Sequence, residues 1–193
     1  TIGHLLLDYD SPAACHAKVN PPIRSREDVE YLWQALLDGN LDWVVSDHAC
    51  CSEELKTDNQ DPGDGDNIWV SKSGFGGTEY LLSGLVSEGS QRGMSYNKMA
   101  ELVCWNPAQR YGLLNKGDVA VGYDADIVLL DPDEVFTVKA EESESHQGYT
   151  PFEGMELRGK VKRTVLRGKT VFSNDRIVGE PTGQYIARPT KRP

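Results

Sequence analysis

The residues best suited to chemistry lie where an apolar run, Leu41-Asp42-Trp43-Val44-Val45-Ser46, delivers the pair Asp47-His48 before Ala49. The run carries Trp and paired Val between Gly39-Asn40 and a polar loop. It is therefore predicted to be a parallel-sheet strand buried on both faces. In an α/β barrel, residues at the C-terminal ends of strands face the active site, so Asp47 would stand where a carboxylate can hold a cation or move a proton. The alternative is structural. Asp is a favoured turn residue, and Asp47 could cap the following turn with His48 on the surface.

A second segment able to meet a ligand is Ser73-Gly74-Phe75-Gly76-Gly77-Thr78-Glu79. Glycine permits positive φ and close approach of backbone, so the Ser73 and Gly74 peptide groups can face a small polar molecule. The plainer reading is a tight entry into the helix predicted at Tyr80, Leu81, Leu82 and Leu85. It is no phosphate loop, because no Lys-Ser/Thr pair follows the glycines. Between the two segments, Glu53-Glu54 with Asp58, Asp61, Asp64 and Asp66 form an acidic stretch, read as a solvated lid. A calcium module over residues 53–66 is the competing reading, but the acidic residues lack the register and terminal bidentate Glu of an EF-hand.

These segments need a frame. Ser25 stands three residues before Asp28, with Val29, Leu32, Trp33 and Leu36 at helical spacing and Gly39 beyond, which predicts a capped amphipathic helix. The run Ile2 to Leu7 is predicted to be a strand, giving with Leu41–Ala49 the rhythm of a parallel sheet. Ser95 is expected to cap a helix carrying Met99, Leu102 and Val103, and Asn106-Pro107 to start another ending at Gly112. From about Lys116, short β-branched runs (Val119, Val121, Ile127–Leu130, Phe136–Val138, Val161, Thr164–Leu166, Thr170–Phe172) predict an antiparallel sheet or sandwich. The expected division is residues 1–112 as the last strands and helices of a barrel, 113–178 as a β-sandwich segment, and 179–193 as an extended tail.

The chain of 193 residues has 30 acidic and 20 basic side chains, a balance that argues against nucleic acid and anionic membranes as partners. No apolar run approaches the length of a membrane span. The cysteines Cys15, Cys50, Cys51 and Cys104 show no CxxC spacing, which suggests reduced thiols and a cytoplasmic setting. The opening lacks Met and lies inside an apolar run, so a piece of a longer protein is expected.

Seven blocks in register resemble the cyclic amidohydrolases, which include hydantoinase/dihydropyrimidinase, allantoinase and dihydroorotase. They are Gly3-His4-Leu5-Leu6-Leu7, Lys18-Val19-Asn20-Pro21-Pro22-Ile23-Arg24, Ser46-Asp47-His48-Ala49, Ser73-Gly74-Phe75-Gly76-Gly77-Thr78-Glu79, Asn106-Pro107-Ala108, Gly122-Tyr123-Asp124-Ala125-Asp126-Ile127-Val128 and Thr150-Pro151-Phe152-Glu153-Gly154. The resemblance implies the C-terminal part of a TIM-type (β/α)8 metal-dependent hydrolase barrel followed by part of a small β-sandwich. It also implies two divalent metals, usually zinc, whose ligands are an HxH pair, a carboxylated lysine, two further histidines and an aspartate. Of that set the aspartate matches Asp47, whereas His4 matches a non-ligand position, His16 and His146 fall in loops, and His48 follows the aspartate. Most ligands would then lie outside this chain.

On the same resemblance Asp47 is metal ligand and proton shuttle, and the backbone at Ser73 and Gly74 holds the ring amide. Asn20 matches a substrate-contacting asparagine of dihydroorotases, or else fixes the turn before Pro21-Pro22. Cys51, followed by Ser52-Glu53-Glu54-Leu55-Lys56, looks more like allantoinase and is a candidate substrate contact. The expected activity is hydrolysis of a cyclic amide by a hydantoinase- or allantoinase-like enzyme, with dihydroorotase as the alternative. A non-catalytic homologue that keeps the fold is the alternative from another class. Partners implied are the rest of the barrel and further copies of the protein, as a dimer or tetramer.

Overall fold

The computed structural model describes residues 1–61 and 67–188. Helix α1 (Ile2–Leu6) opens the chain, followed by a 3-10 turn (Ala14–Ala17), α2 (Arg26–Leu37) and α3 (Glu53–Thr57). Then come α4 (Leu81–Gln91), α5 (Tyr96–Ala100), a π turn (Glu101–Trp105) and α6 (Asn106–Tyr111). Four strands close the order: β1 (Ile127–Thr137), β2 (Glu156–Leu166), β3 (Lys169–Ser173) and β4 (Arg176–Ile177). They form one antiparallel meander in the order β1-β2-β3-β4.

Helix α2 starts as its sequence dictates. Ser25 and Asp28 form a reciprocal capping box, and Gly39 leaves in the left-handed region after Asp38. Its apolar stripe Val29, Trp33 and Leu36 is buried. The Trp33 indole donates 2.8 Å to the Leu5 carbonyl, so α2 satisfies one of the acceptors that short α1 cannot use itself. The Arg92 guanidinium lies 4.8 Å from the Trp33 ring centroid and is held there by Glu30 and Glu88.

Helix α4 is the spine because its inner residues are small. A Cβ at Gly84 would stand 2.7 Å from a Leu6 methyl, so glycine lets α1 lie directly on α4. On another side, Ser83 Oγ donates to the Gly159 carbonyl of β2 at 2.7 Å, and Ser87 Oγ accepts from the Arg158 amide at 3.2 Å. Gly159, at φ +89, has Val86 where its own Cβ would be. The core therefore runs unbroken from Ile2 and Trp33 through Leu85 and Val86 to Phe152 and Leu157.

Four expectations about elements are corrected. Residues Ile2–Leu6 are helical, not a strand: Ile2, Leu5 and Leu6 recur at helical spacing and are buried. A short apolar run fits both periods, and its length could not decide. Leu41–Ala49 is in no ladder; it is irregular chain, with Val44 buried and Val45 41% exposed, so it is not covered on both faces. Accordingly no parallel strands occur among the described residues. Val119 and Val121 lie in an exposed loop, not in strands, beside Lys116 paired with Asp124 and Asp126. The acidic stretch is also not simply a loop, since Glu53–Thr57 is helix α3, capped by Ser52. The rest of that reading falls in part on residues 62–66, outside the described residues, as do Pro189 and Pro193 of the tail. The described tail has no regular structure and runs back so that Arg188 lies over the Tyr111 ring.

Replacing Trp33 by Phe should cost about 1–3 kcal/mol, because the ring volume is mostly kept while the buried Leu5 carbonyl loses its donor. Urea unfolding of the two proteins measures it; equal midpoints would mean that water or another donor replaces the indole.

Candidate functional site

Asp47 sits in a chain segment held by borrowed backbone partners. The Ile2 amide donates to Val45 O at 2.9 Å, and the Val44 amide donates to Leu102 O at 3.1 Å. That second bond has a sequence cause. In the π turn the Asn106 amide bonds back to Glu101, and Pro107 has no N–H, so the Leu102 carbonyl is left free for Val44. The Asn106 side chain adds a bond to Asp42 O at 2.7 Å.

The segment then packs on the glycine-rich stretch. The Ala49 amide donates to Phe75 O at 3.1 Å, and the His48 Nδ1 accepts from the Gly77 and Thr78 amides at 3.3 and 3.4 Å. His48 is thus fixed by two N–H groups, which requires its Nδ1 to be unprotonated. Gly74 makes the approach possible: its φ is +104, and a Cβ there would lie 2.7 Å from Cβ of Ala49.

Asp47 itself takes φ +52, a left-handed conformation that Asp tolerates better than most residues. It is exposed, and among the described residues its carboxylate has no hydrogen bond or ion pair. Its field reaches His4, which is tied to Thr1 Oγ1 at 2.7 Å and to Pro21 O at 2.8 Å. Burial holds the His4 imidazole below the usual histidine range, with the Pro21 carbonyl and Asp47 opposing.

Asn20 and Ser73 meet directly, through Nδ2 to Oγ at 3.0 Å. Gly74 N–H is already bonded to Lys18 O at 2.9 Å, whereas the Ser73 N–H and C=O bond to no described residue. The Cys51 Sγ is 3.6 Å from the Tyr149 hydroxyl, which itself lies 3.5 Å from Gly74 O. Burial pushes that phenol up, and Cys51 adds to the effect.

One residue of this neighbourhood was not singled out from the sequence. Lys56 is 0% exposed and donates from Nζ to Gly74 O at 2.7 Å and to Lys18 O at 3.1 Å. Burial pulls its ammonium down to about 8. In the sequence it reads as a surface lysine in an acidic stretch, and no periodicity marks it as internal. A concavity of about 380 Å³ between Asn97, Ala100, Glu101, Trp105, Gly117 and Asp118 contains none of the expected site residues. Among the described residues no three His, Cys, Asp or Glu side chains converge as a metal site.

Comparison with known proteins places these features in a lineage. A model described as the amidohydrolase family matches residues 15–171. An allantoinase of Rubrobacter xylanophilus is 37% identical over 190 residues, covering 96% of this chain and 40% of the relative. One of Solibacter usitatus is 36% identical over 171 residues, covering 88% and 36%. The fold superposes on L-hydantoinase (dihydropyrimidinase) of Arthrobacter aurescens with a TM-score of 0.83 at 31% identity, covering 93% of this chain and 40% of that one. A D-hydantoinase of Bacillus sp. AR9 gives 0.84 at 34% identity, covering 97% and 42%. The chain thus spans about 40% of the length of the Rubrobacter relative.

Gly74→Ala should force the left-handed backbone on a Cβ and push it into Ala49, costing more than about 1 kcal/mol. Amide exchange at Ala49 and Gly77 should quicken together, since one packing contact holds both segments; protection unchanged at both amides would contradict this geometry.

Proposed function

The chain belongs to the amidohydrolase family, and from that premise we propose that the complete protein hydrolyses a cyclic amide, with an allantoin-like ureide ring as the first choice and a hydantoin as the second. The observation that carries the reading is Asp47: an exposed carboxylate, unspent in the fold, on left-handed backbone beside a loop whose Ser73 peptide groups are also unspent. The names of the relatives support the choice of ring, allantoinase among curated sequences and hydantoinase among structures.

A carboxylate is a hard oxygen donor suited to a divalent cation, so Asp47 fits as one ligand. The remaining ligands would come from the rest of the barrel, two zinc ions being the proposed complement. Divalent metal held there supplies Lewis acidity and a water of lowered pKa. Asp47 takes up the proton released on attack and returns it to the departing ring nitrogen, which a single carboxylate can do when it faces both. The Ser73 C=O and N–H offer an acceptor and a donor, the complement of one ring amide. Asn20 holds the Ser73 side chain and so fixes that peptide's orientation. Cys51 lies against Tyr149, whose hydroxyl also meets Gly74 O, and is proposed as a substrate contact at that edge of the loop. We propose a cytoplasmic homo-oligomer; among the described residues no helix is long and apolar enough to cross a membrane.

In the full-length protein, Asp47→Asn should lower ring opening of allantoin or hydantoin by roughly 10²–10⁴-fold and reduce bound metal. Product analysis and metal content measure both. Wild-type turnover in the variant would remove Asp47 from the mechanism. A wild-type protein that opens none of allantoin, hydantoin, dihydrouracil and dihydroorotate would favour a non-catalytic homologue.

A further inference from the structure

Lys56 is a fully buried ammonium, and among the described residues it has no carboxylate partner. Leaving such a charge inside a fold costs several kcal/mol unless hydrogen bonds replace its water. Here two carbonyls replace it, Lys18 O and Gly74 O, which belong to the two segments that present Asn20 and Ser73. The Gly74 amide bonds the same Lys18 carbonyl, so one ammonium and one peptide close a compact bridge between segments 53 residues apart at Asn20 and Ser73. The Tyr149 ring lies 5.9 Å from Nζ, with its hydroxyl 3.5 Å from Gly74 O, and walls the bridge from solvent.

We propose that Lys56 is a positioning residue for the substrate amide: its ammonium clamps the Lys18–Asn20 and Ser73–Gly74 segments so that the Ser73 peptide and Asn20 meet one ligand together. The inference rests on the cyclic-amide reading for its ligand, but the clamp itself does not. The groups that face the ammonium are the Cys51 thiol before α3, Cys15 and Lys18 from the first turn, and Tyr149 from the β1–β2 connection. His16 stacks on Tyr149 with ring centroids 4.5 Å apart, its Nε2 3.3 Å from a Glu53 carboxylate oxygen. Raising pH through about 8 discharges Lys56 and weakens the clamp. Stability should move the other way. The folded pKa lies below the unfolded one, so between about 8 and the usual lysine range the unfolded chain binds more protons and the fold gains. A loss of affinity in that window is therefore not incipient unfolding caused by Lys56.

The test uses full-length wild type, Lys56→Met and Lys56→Arg. Amide exchange comes first and needs no activity: in Lys56→Met, protection should fall at Gly74, Gly76 and Gly77 while Val29 and Leu85 stay protected. Unchanged protection in the loop, or a loss spread through the whole core, overturns the clamp. Kinetics on the ring the wild type opens come second. Lys56→Met should raise KM about tenfold to a hundredfold, the worth of a charge-assisted hydrogen bond, with a smaller fall in kcat. The alkaline rise in KM should move to higher pH in Lys56→Arg, whose guanidinium stays charged. If that limb does not move, a thiol or another group carries it and the positioning role is wrong. If the wild type opens no ring, the cyclic-amide reading fails and with it the amide as ligand, while the exchange result still decides the clamp.

Discussion

Among the described residues the chain between Val44 and Ala49 has no strand partner, and the placing of Asp47 depends on how the peptide groups around it are satisfied. A buried N–H or C=O left unpaired costs about as much as a lost hydrogen bond, so a segment without a ladder needs other partners. It finds them at places where helices have groups to spare. The Ile2 amide belongs to the first turn of α1, where no intrahelical acceptor exists; the Leu102 carbonyl is spare because Pro107 stands where its donor would be. Phe75 O and the His48 ring complete the set. The position of Asp47 is thus fixed by helix ends and a proline, elements that carry no chemistry themselves.

The same reasoning explains what could be read in advance. The capping box at Ser25 and Asp28, the stop at Gly112 and the antiparallel strands after Ile127 have local causes, and local causes are visible in sequence. The state of Ile2–Leu6 and of Leu41–Ala49 is decided by what packs on them, and short, largely apolar runs of five and nine residues fit more than one answer. Asn106-Pro107 is legible as a helix start, whereas the π turn before it is not, since its spare Leu102 carbonyl is taken by Val44, a partner remote in sequence. Asn20 and Ser73, singled out separately, prove to touch. The α3 helix reverses the naive pattern: Leu55 is 51% exposed and Lys56 is inside. Nothing in Ser52-Glu53-Glu54-Leu55-Lys56 signals that a lysine will find two carbonyls waiting.

Small residues do the long-range organising. Ser83, Gly84 and Ser87 on α4 give neighbours a close approach and, through two hydroxyls, hydrogen bonds to β2 where a ladder bond is missing at Gly159. Apolar side chains of ordinary size on those faces would separate α1 from β2 and open the core between them. The sheet is in that sense tethered to the same helix that α1 rests on, and α1 in turn supplies the amide that holds Val45.

Left-handed backbone occurs at Asp47 and again at Gly74, on two segments in contact. At Gly74 the cause is steric, since Ala49 occupies the place of a Cβ. At Asp47 no packing demand is evident: the side chain is exposed, and the residue carries a conformation that costs of order 1 kcal/mol or more in a non-glycine. A glycine or asparagine would hold the same turn more cheaply. The strain at Asp47 is offset by the bonds its segment makes to Ile2, Leu102 and Phe75, and the carboxylate stays exposed on a segment that touches the Gly74 turn through Ala49. An exposed carboxylate there is what the proposed role of Asp47 as a metal ligand requires.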